Sequence, residues 1–419
     1  MNIAAPALSI CIAASLLANA SLGSIASAYP LALQRPATSP LTIIYTFTGG
    51  NGGAFPLATP VEDRSGRIIG TTQVGGVYAL TPFNGGWSES ALSPLVTNPV
   101  VLDKAGDIFG TTLDGGAYGY GSVVELAPSA SGYTETILHS FAQDGIDGDN
   151  PASPLLLAKD GAIFGTTLSG GTYEAGTVFE LTPGRDGYTE SILYDFPSKA
   201  PPGPPAFASG LVEDASGALY GTTHQGESGN TCSLCGTVFK LTPTGNGYVE
   251  SDLHVFGGGN DGANPEGAPV IGASGKLYGT TEDGGNTACT AGPEPGCGTV
   301  YALTPSAGSY SESIVHAFAS GNDGATPVAG LTAGKHGVLY GTTSFGGAHY
   351  GGTVFALTQL GSGYAERVLV EFSSNGPAYE PGSGLLEARN GRLYGTTVGG
   401  GGTCGGDPCG TVFEVRPKL

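Results

Sequence analysis

The sequence predicts an all-β fold, a seven-bladed β-propeller with four antiparallel strands per blade, its last blade closed by the N-terminal strand. Three observations predict it. Gly-Thr-Thr occurs seven times, beginning at Gly70, Gly110, Gly165, Gly221, Gly279, Gly341 and Gly395, and a period of this size marks a repeat architecture. Each unit holds four short strand-like segments and no helical periodicity with caps, the arithmetic of a propeller blade. Finally, the unit that ends at Gly410-Thr-Val-Phe-Glu-Val-Arg-Pro417 lacks its fourth strand, and Leu41-Thr-Ile-Ile-Tyr-Thr-Phe47 matches the missing piece. Pairing the two closes a ring and leaves no open edge.

Each element has a local cause. Residues 6–28 form an apolar stretch ending in Ala26-Ser27-Ala28, so residues 1–28 read as a signal peptide cleaved after Ala28, with 29–40 a linker and 41–419 the propeller. Within a unit, the first strand ends at a glycine four positions before each Gly-Thr-Thr (Gly66, Gly106, Gly161, Gly217, Gly275, Gly337 and Gly391). That spacing marks a tight turn with positive φ. The second strand ends in Gly-Thr-Thr, and a glycine-rich loop of variable length follows. Third comes Gly-Thr-Val-Phe-x-Leu-Thr-Pro, as at 176–183 and 236–243, then a short turn and a Tyr-x-Glu strand such as Tyr310-Ser-Glu-Ser-Ile-Val-His-Ala-Phe318. The closure makes Tyr-x-Glu outermost. It also places the variable loop and the Asp-Gly-x-x-Pro connection (147–151, 261–265, 323–327) on one face, opposite the tight turns. Variable loops on a rigid scaffold are where recognition resides.

Composition narrows the function. Glycine is 74 and proline 29 of 419 residues, while charged residues are only 12%, which excludes a disordered polyelectrolyte and a coiled coil. A net charge of −20 with 15 lysines and arginines excludes phosphate-backbone binding, so no nucleic acid partner is expected. No later segment reaches spanning length, so no membrane span is expected in the mature chain.

Leu-Tyr-Gly-Thr-Thr, Gly-Gly, Gly-Thr-Val-Phe-x-Leu-Thr-Pro and Tyr-x-Glu together resemble the GloVer tandem repeat of exported bacterial proteins, the "choice-of-anchor" group, over roughly residues 41–417. The resemblance implies an extracellular or envelope protein and adds little chemistry.

Six cysteines of the mature chain fall in three pairs, Cys232/Cys235, Cys289/Cys297 and Cys404/Cys409, all in variable loops. Export favours an intraloop disulfide for each pair; zinc at Cys232-x-x-Cys235 lacks a second pair nearby. Asp144, Asp147 and Asp149 form the densest acidic loop and are calcium candidates, although an EF-hand fails because Leu155 stands where the bidentate Glu belongs. No other cofactor is expected. His139, His254 and His316 recur at one repeat position, as a structural pattern would place them, and the Thr pairs read as satisfying strand-end backbone groups. No catalytic motif is present, no Gly-x-Ser-x-Gly elbow among them. The expected function is a secreted, monomeric, non-catalytic binding scaffold presenting partly disulfide-braced loops to a glycan or protein ligand. The alternative is a secreted carbohydrate-active hydrolase or lyase using acidic residues on the same face.

Overall fold

The computed structural model describes residues 40–197, 208–225, 235–245, 247–289 and 295–417. The signal peptide expected over 1–28, the linker expected over 29–40 except its last residue, and Cys232 lie outside them. From residue 40 onward, seven antiparallel sheets follow in chain order, each of four strand layers. Blade 5 shows the plan: Ala263–Ile271 innermost, then Leu277–Asp283, Thr299–Ser306 and Ser309–Ala317 outermost. No helix among the described residues is long and apolar enough to cross a membrane.

The ring closes as the sequence anticipates. Leu41–Thr46 is the outermost strand of blade 7, antiparallel to Thr411–Val415, with Leu41 opposite Val415 and Thr46 opposite Thr411. The chain's two ends thus share one sheet.

Blades are joined by aromatic rings. In six of the seven blades the phenylalanine at the end of the outermost strand packs edge-on against a ring on the third strand of the next blade. Phe141 meets Phe179, Phe196 meets Phe239, Phe256 meets Tyr301, Phe318 meets Phe355, Phe372 meets Phe413 and Phe47 meets Tyr78, with centroids 5.1–5.4 Å apart. Between blades 1 and 2 the corresponding contact is aliphatic, in a cluster containing Val96 and Val124. The same rings explain the repeated glycine. Gly341 pairs across the ladder with Phe355, and a Cβ on Gly341 would overlap that ring, as it would at Gly165, Gly221 and Gly395. An aromatic on strand three therefore requires glycine on strand two.

The threonines are structural. In blades 2 to 7 the second Thr of each pair meets a hydroxyl on strand three, as in Thr223–Thr237 at 3.0 Å and Thr397–Thr411 at 2.7 Å. In blades 4, 5 and 6 the first reaches the innermost segment of the next blade: Thr222 donates to the Gly267 carbonyl at 3.0 Å, Thr280 to Ala329 at 2.9 Å and Thr342 to Ser383 at 2.7 Å.

Innermost strands are shorter than the repeat suggests. Those of blades 1, 2 and 6 keep only two residues, Val61–Glu62, Val101–Leu102 and Thr332–Ala333. Prolines such as Pro60 remove ladder donors there. Crowding near the axis demands glycine too, since a Cβ on Gly267 would lie 2.6 Å from the Gly330 nitrogen of the next blade.

Candidate functional site

The strand directions give the ring a loop face, carrying the variable loops and Asp-Gly-x-x-Pro connections, and a turn face. Charge is divided between them. Among the described residues, every lysine and arginine lies within a strand or at the turn face, and none in a loop-face connection. Loop-face connections carry acids instead, among them Asp114, Asp144, Glu174 and Asp407. Large exposed aromatics share that face: Tyr118 (64% exposed), Tyr173 (54%), Phe345 (43%) and Tyr350 (71%).

Near the axis, three side chains from two adjacent blades converge. His224 follows Gly-Thr-Thr in blade 4, Glu282 occupies the same place in blade 5, and Glu266 lies on blade 5's innermost strand. The His224 Nδ1 and Glu266 Oε1 are 2.8 Å apart, and one ligand atom from each of the three side chains lies within 4.8 Å of the others. Asn264, held at φ 59°, donates to the His224 carbonyl at 3.1 Å and fixes the two blades together. Burial pushes the Glu266 carboxyl up, with His224 opposing and Glu282 adding to the rise. For His224, burial favours the neutral ring, but Glu266, Glu282 and Asp283 outweigh it and raise its affinity for a proton.

At the rim a second arrangement repeats. His139, His254 and His316 each meet the aspartate of the following connection: Asp147 at 3.3 Å, Asp261 at 3.0 Å and Asp323 at 2.9 Å. The same carboxylates accept backbone N–H groups of Ala142, Gly257 and Ala319. The Tyr-x-Glu carboxylate of the next blade faces each pair; Glu190 lies 3.6 Å from His139. His139, Asp147 and Glu190 form the other group of possible metal ligands among the described residues. They line a cleft of about 580 Å³ with Tyr118, Asp144 and Ile146.

Of the three calcium candidates, Asp147 joins that group. Asp144 instead caps its own turn, accepting the N–H of Ile146 and Asp147, both at 2.9 Å, while Asp149 bonds the Ser169 hydroxyl. Cys289–Cys297 and Cys404–Cys409 are disulfides within single loops, Cα atoms 5.5 and 5.3 Å apart. Cys235 is disulfide-bonded as well.

The rim carboxylates make stability depend on pH. Glu312 and Glu366 are pushed up to about 7 by burial, with Asp261 and Asp323 adding to the rise and His254 and His316 opposing it. A raised carboxyl stays protonated when folded at pH values where the unfolded chain has lost its proton, so its stabilisation falls as pH rises from 4.5 to about 7. His139, also raised, acts in the same sense: its contribution is present below 6.5 and lost as pH climbs through its folded value. Asp63 and Asp214 are lowered despite burial, because hydrogen bonds favour their charged forms, and their contribution is lost as pH falls below 3.8. Thermal melts should therefore peak near about pH 5 and fall by a few degrees toward about pH 8. Glu312→Gln with Glu366→Gln should flatten that slope, by about 1 kcal/mol per site once solvent screening of half-exposed groups is allowed for. An unchanged slope would count against this account.

The Gloeobacter/Verrucomicrobia repeat matches residues 96–292 and 287–419. The chain belongs to this family. Within this chain the recurring framework is ring on glycine and threonine on threonine, and His224, Glu266 and Glu282 depart from it. No curated protein matches the sequence. Solved structures with similar architecture include a luciferin-regenerating enzyme, 14% identical over 77% of this chain and 92% of that one, TM-score 0.46. Others are the GH93 α-L-arabinofuranosidase of Fusarium graminearum in complex with arabinobiose (15%, 76% and 91%, TM-score 0.45), and the pyranose dehydrogenase PQQ domain of Coprinopsis cinerea (12%, 90% and 95%, TM-score 0.44). Likeness at this level carries no argument about the chemistry of the Gloeobacter/Verrucomicrobia repeat.

Sequence reasoning missed the axial cluster, whose members are distant along the chain. A signal existed: the residues after Gly-Thr-Thr are Gln73, Leu113, Leu168, His224, Glu282, Ser344 and Val398, and the ionisable ones occupy adjacent blades.

Proposed function

We propose that the chain is an exported, non-catalytic binding propeller whose loop face takes a neutral glycan. The observation that carries this reading is the pairing of exposed rings with acids on a face whose described connections carry no lysine or arginine. Tyr118, Tyr173 and Phe345 project from variable loops and Tyr350 from the strand start that follows one, offering flat apolar area with little rotamer entropy to lose. Carboxylates between them accept hydroxyl hydrogen bonds, while polyanions are repelled. Disulfides in two other variable loops of the same face, those of blades 5 and 7, favour export.

A glycan array probed with the purified chain tests the proposal. Neutral oligosaccharides should bind, and Tyr118→Ala combined with Tyr350→Ala should weaken the strongest of them at least about tenfold, the scale of losing two ring contacts. The turn-face pair Phe83→Ala and Leu360→Ala should leave binding unchanged. Binding confined to anionic glycans, or lost only in the turn-face variant, would refute the reading. Cleaved array sugars would favour the hydrolase or lyase alternative.

A further inference from the structure

We infer that His224, Glu266 and Glu282 form a divalent transition-metal site beside the axis on the loop face. The inference does not depend on the glycan reading. Its first support is the donor set. One imidazole and two carboxylates suit a first-row ion of the Mn²⁺–Zn²⁺ class better than the all-oxygen shells of Ca²⁺ or Mg²⁺. Donors held at about 2.1 Å from one ion lie about 3.0–4.2 Å apart for angles between right-angled and linear. Here His224 and Glu266 are 2.8 Å apart and all three donors lie within 4.8 Å, so side-chain rotations of well under an ångström complete the set.

Second, the cluster breaks the internal repeat. The residue equivalent to Glu266 is Leu57, Thr97, Ala152, Ala208, Val328 or Gly382 in the other blades, none of them ionisable. After Gly-Thr-Thr, the ionisable residues are His224 and Glu282 alone. All three exceptions to two otherwise neutral rings meet at one point. The rim group His139, Asp147 and Glu190 differs: its His–Asp pair recurs at His254–Asp261 and His316–Asp323, as a joint between blades would.

Third, the charge there is unbalanced. Two glutamates surround one imidazole, and no described lysine or arginine lies in the surrounding connections. Such an acidic surround draws cations.

Isothermal titration of the chelator-stripped chain with MnCl₂ and ZnCl₂ at constant pH provides the test, with CaCl₂ as a comparison. One equivalent of Mn²⁺ or Zn²⁺ should bind, more tightly than Ca²⁺. Glu282→Gln and His224→Asn should each weaken it at least about tenfold, while Glu190→Gln at the rim should leave it within about twofold. Melting curves without metal establish that each variant folds, and Glu282→Gln, nearly isosteric and half-buried, tests the site should His224→Asn not fold. Absence of saturable binding, equal affinity in Glu282→Gln, or weakening confined to Glu190→Gln would overturn the assignment.

Discussion

A chain beginning at Gly49 should lose cooperative folding, because the ring is closed by residues 41–47. Their removal strips the outermost ladder from Thr411–Val415 and empties the fully buried Phe47 position, whose ring stands 5.1 Å from Tyr78 of blade 1. Losing a buried phenylalanine alone costs about 3–5 kcal/mol. The exposed edge is also a template for pairing with other chains. The expected result is a melting temperature lower by ten degrees or more, or a shift to aggregates in size-exclusion chromatography. A chain starting at Gly49 that elutes as one with residue 29 at its start, and melts with it, would contradict closure.

The second large effect concerns the blade joints. Phe355→Ala should destabilise by about 3–5 kcal/mol, since its ring is fully buried and shared between Phe318 and the Gly341 surface. Gly341→Ala should also destabilise, by about 1–3 kcal/mol, because the added methyl overlaps that same ring. The two changes should couple: once the ring is absent, the methyl has space, so Gly341→Ala in the Phe355→Ala background should cost less than in the native chain by at least about 1 kcal/mol. Denaturant melts of the four chains decide it. Strict additivity would mean that the glycine is required for some reason other than the ring above it.

Seven-fold recurrence made the blades, the closing strand and the two faces legible, because each prediction rested on many copies of one pattern. Leu41–Phe47 could be placed at the far end of the chain because Ser191–Phe196 showed what was missing. The reason for Gly-Thr-Thr was not legible: a repeated glycine read along the chain says nothing of the ring lying over it from another strand. His139, His254 and His316 recur visibly at one repeat position, but their aspartate partners are a packing fact. Glu266 lay hidden because proximity to His224 comes from blade adjacency rather than from spacing. The three aspartates of the 144–149 loop looked alike in sequence, yet the turn directs them to different partners.

The central claim is that recognition takes place on the acidic, aromatic loop face. A crystal structure of the chain soaked with the strongest array oligosaccharide tests it most directly. The account predicts sugar density on the loop face, with a pyranose ring stacked on at least one of Tyr118, Tyr173, Phe345 or Tyr350. Density confined to the turn face, or on the outer strands, would contradict it.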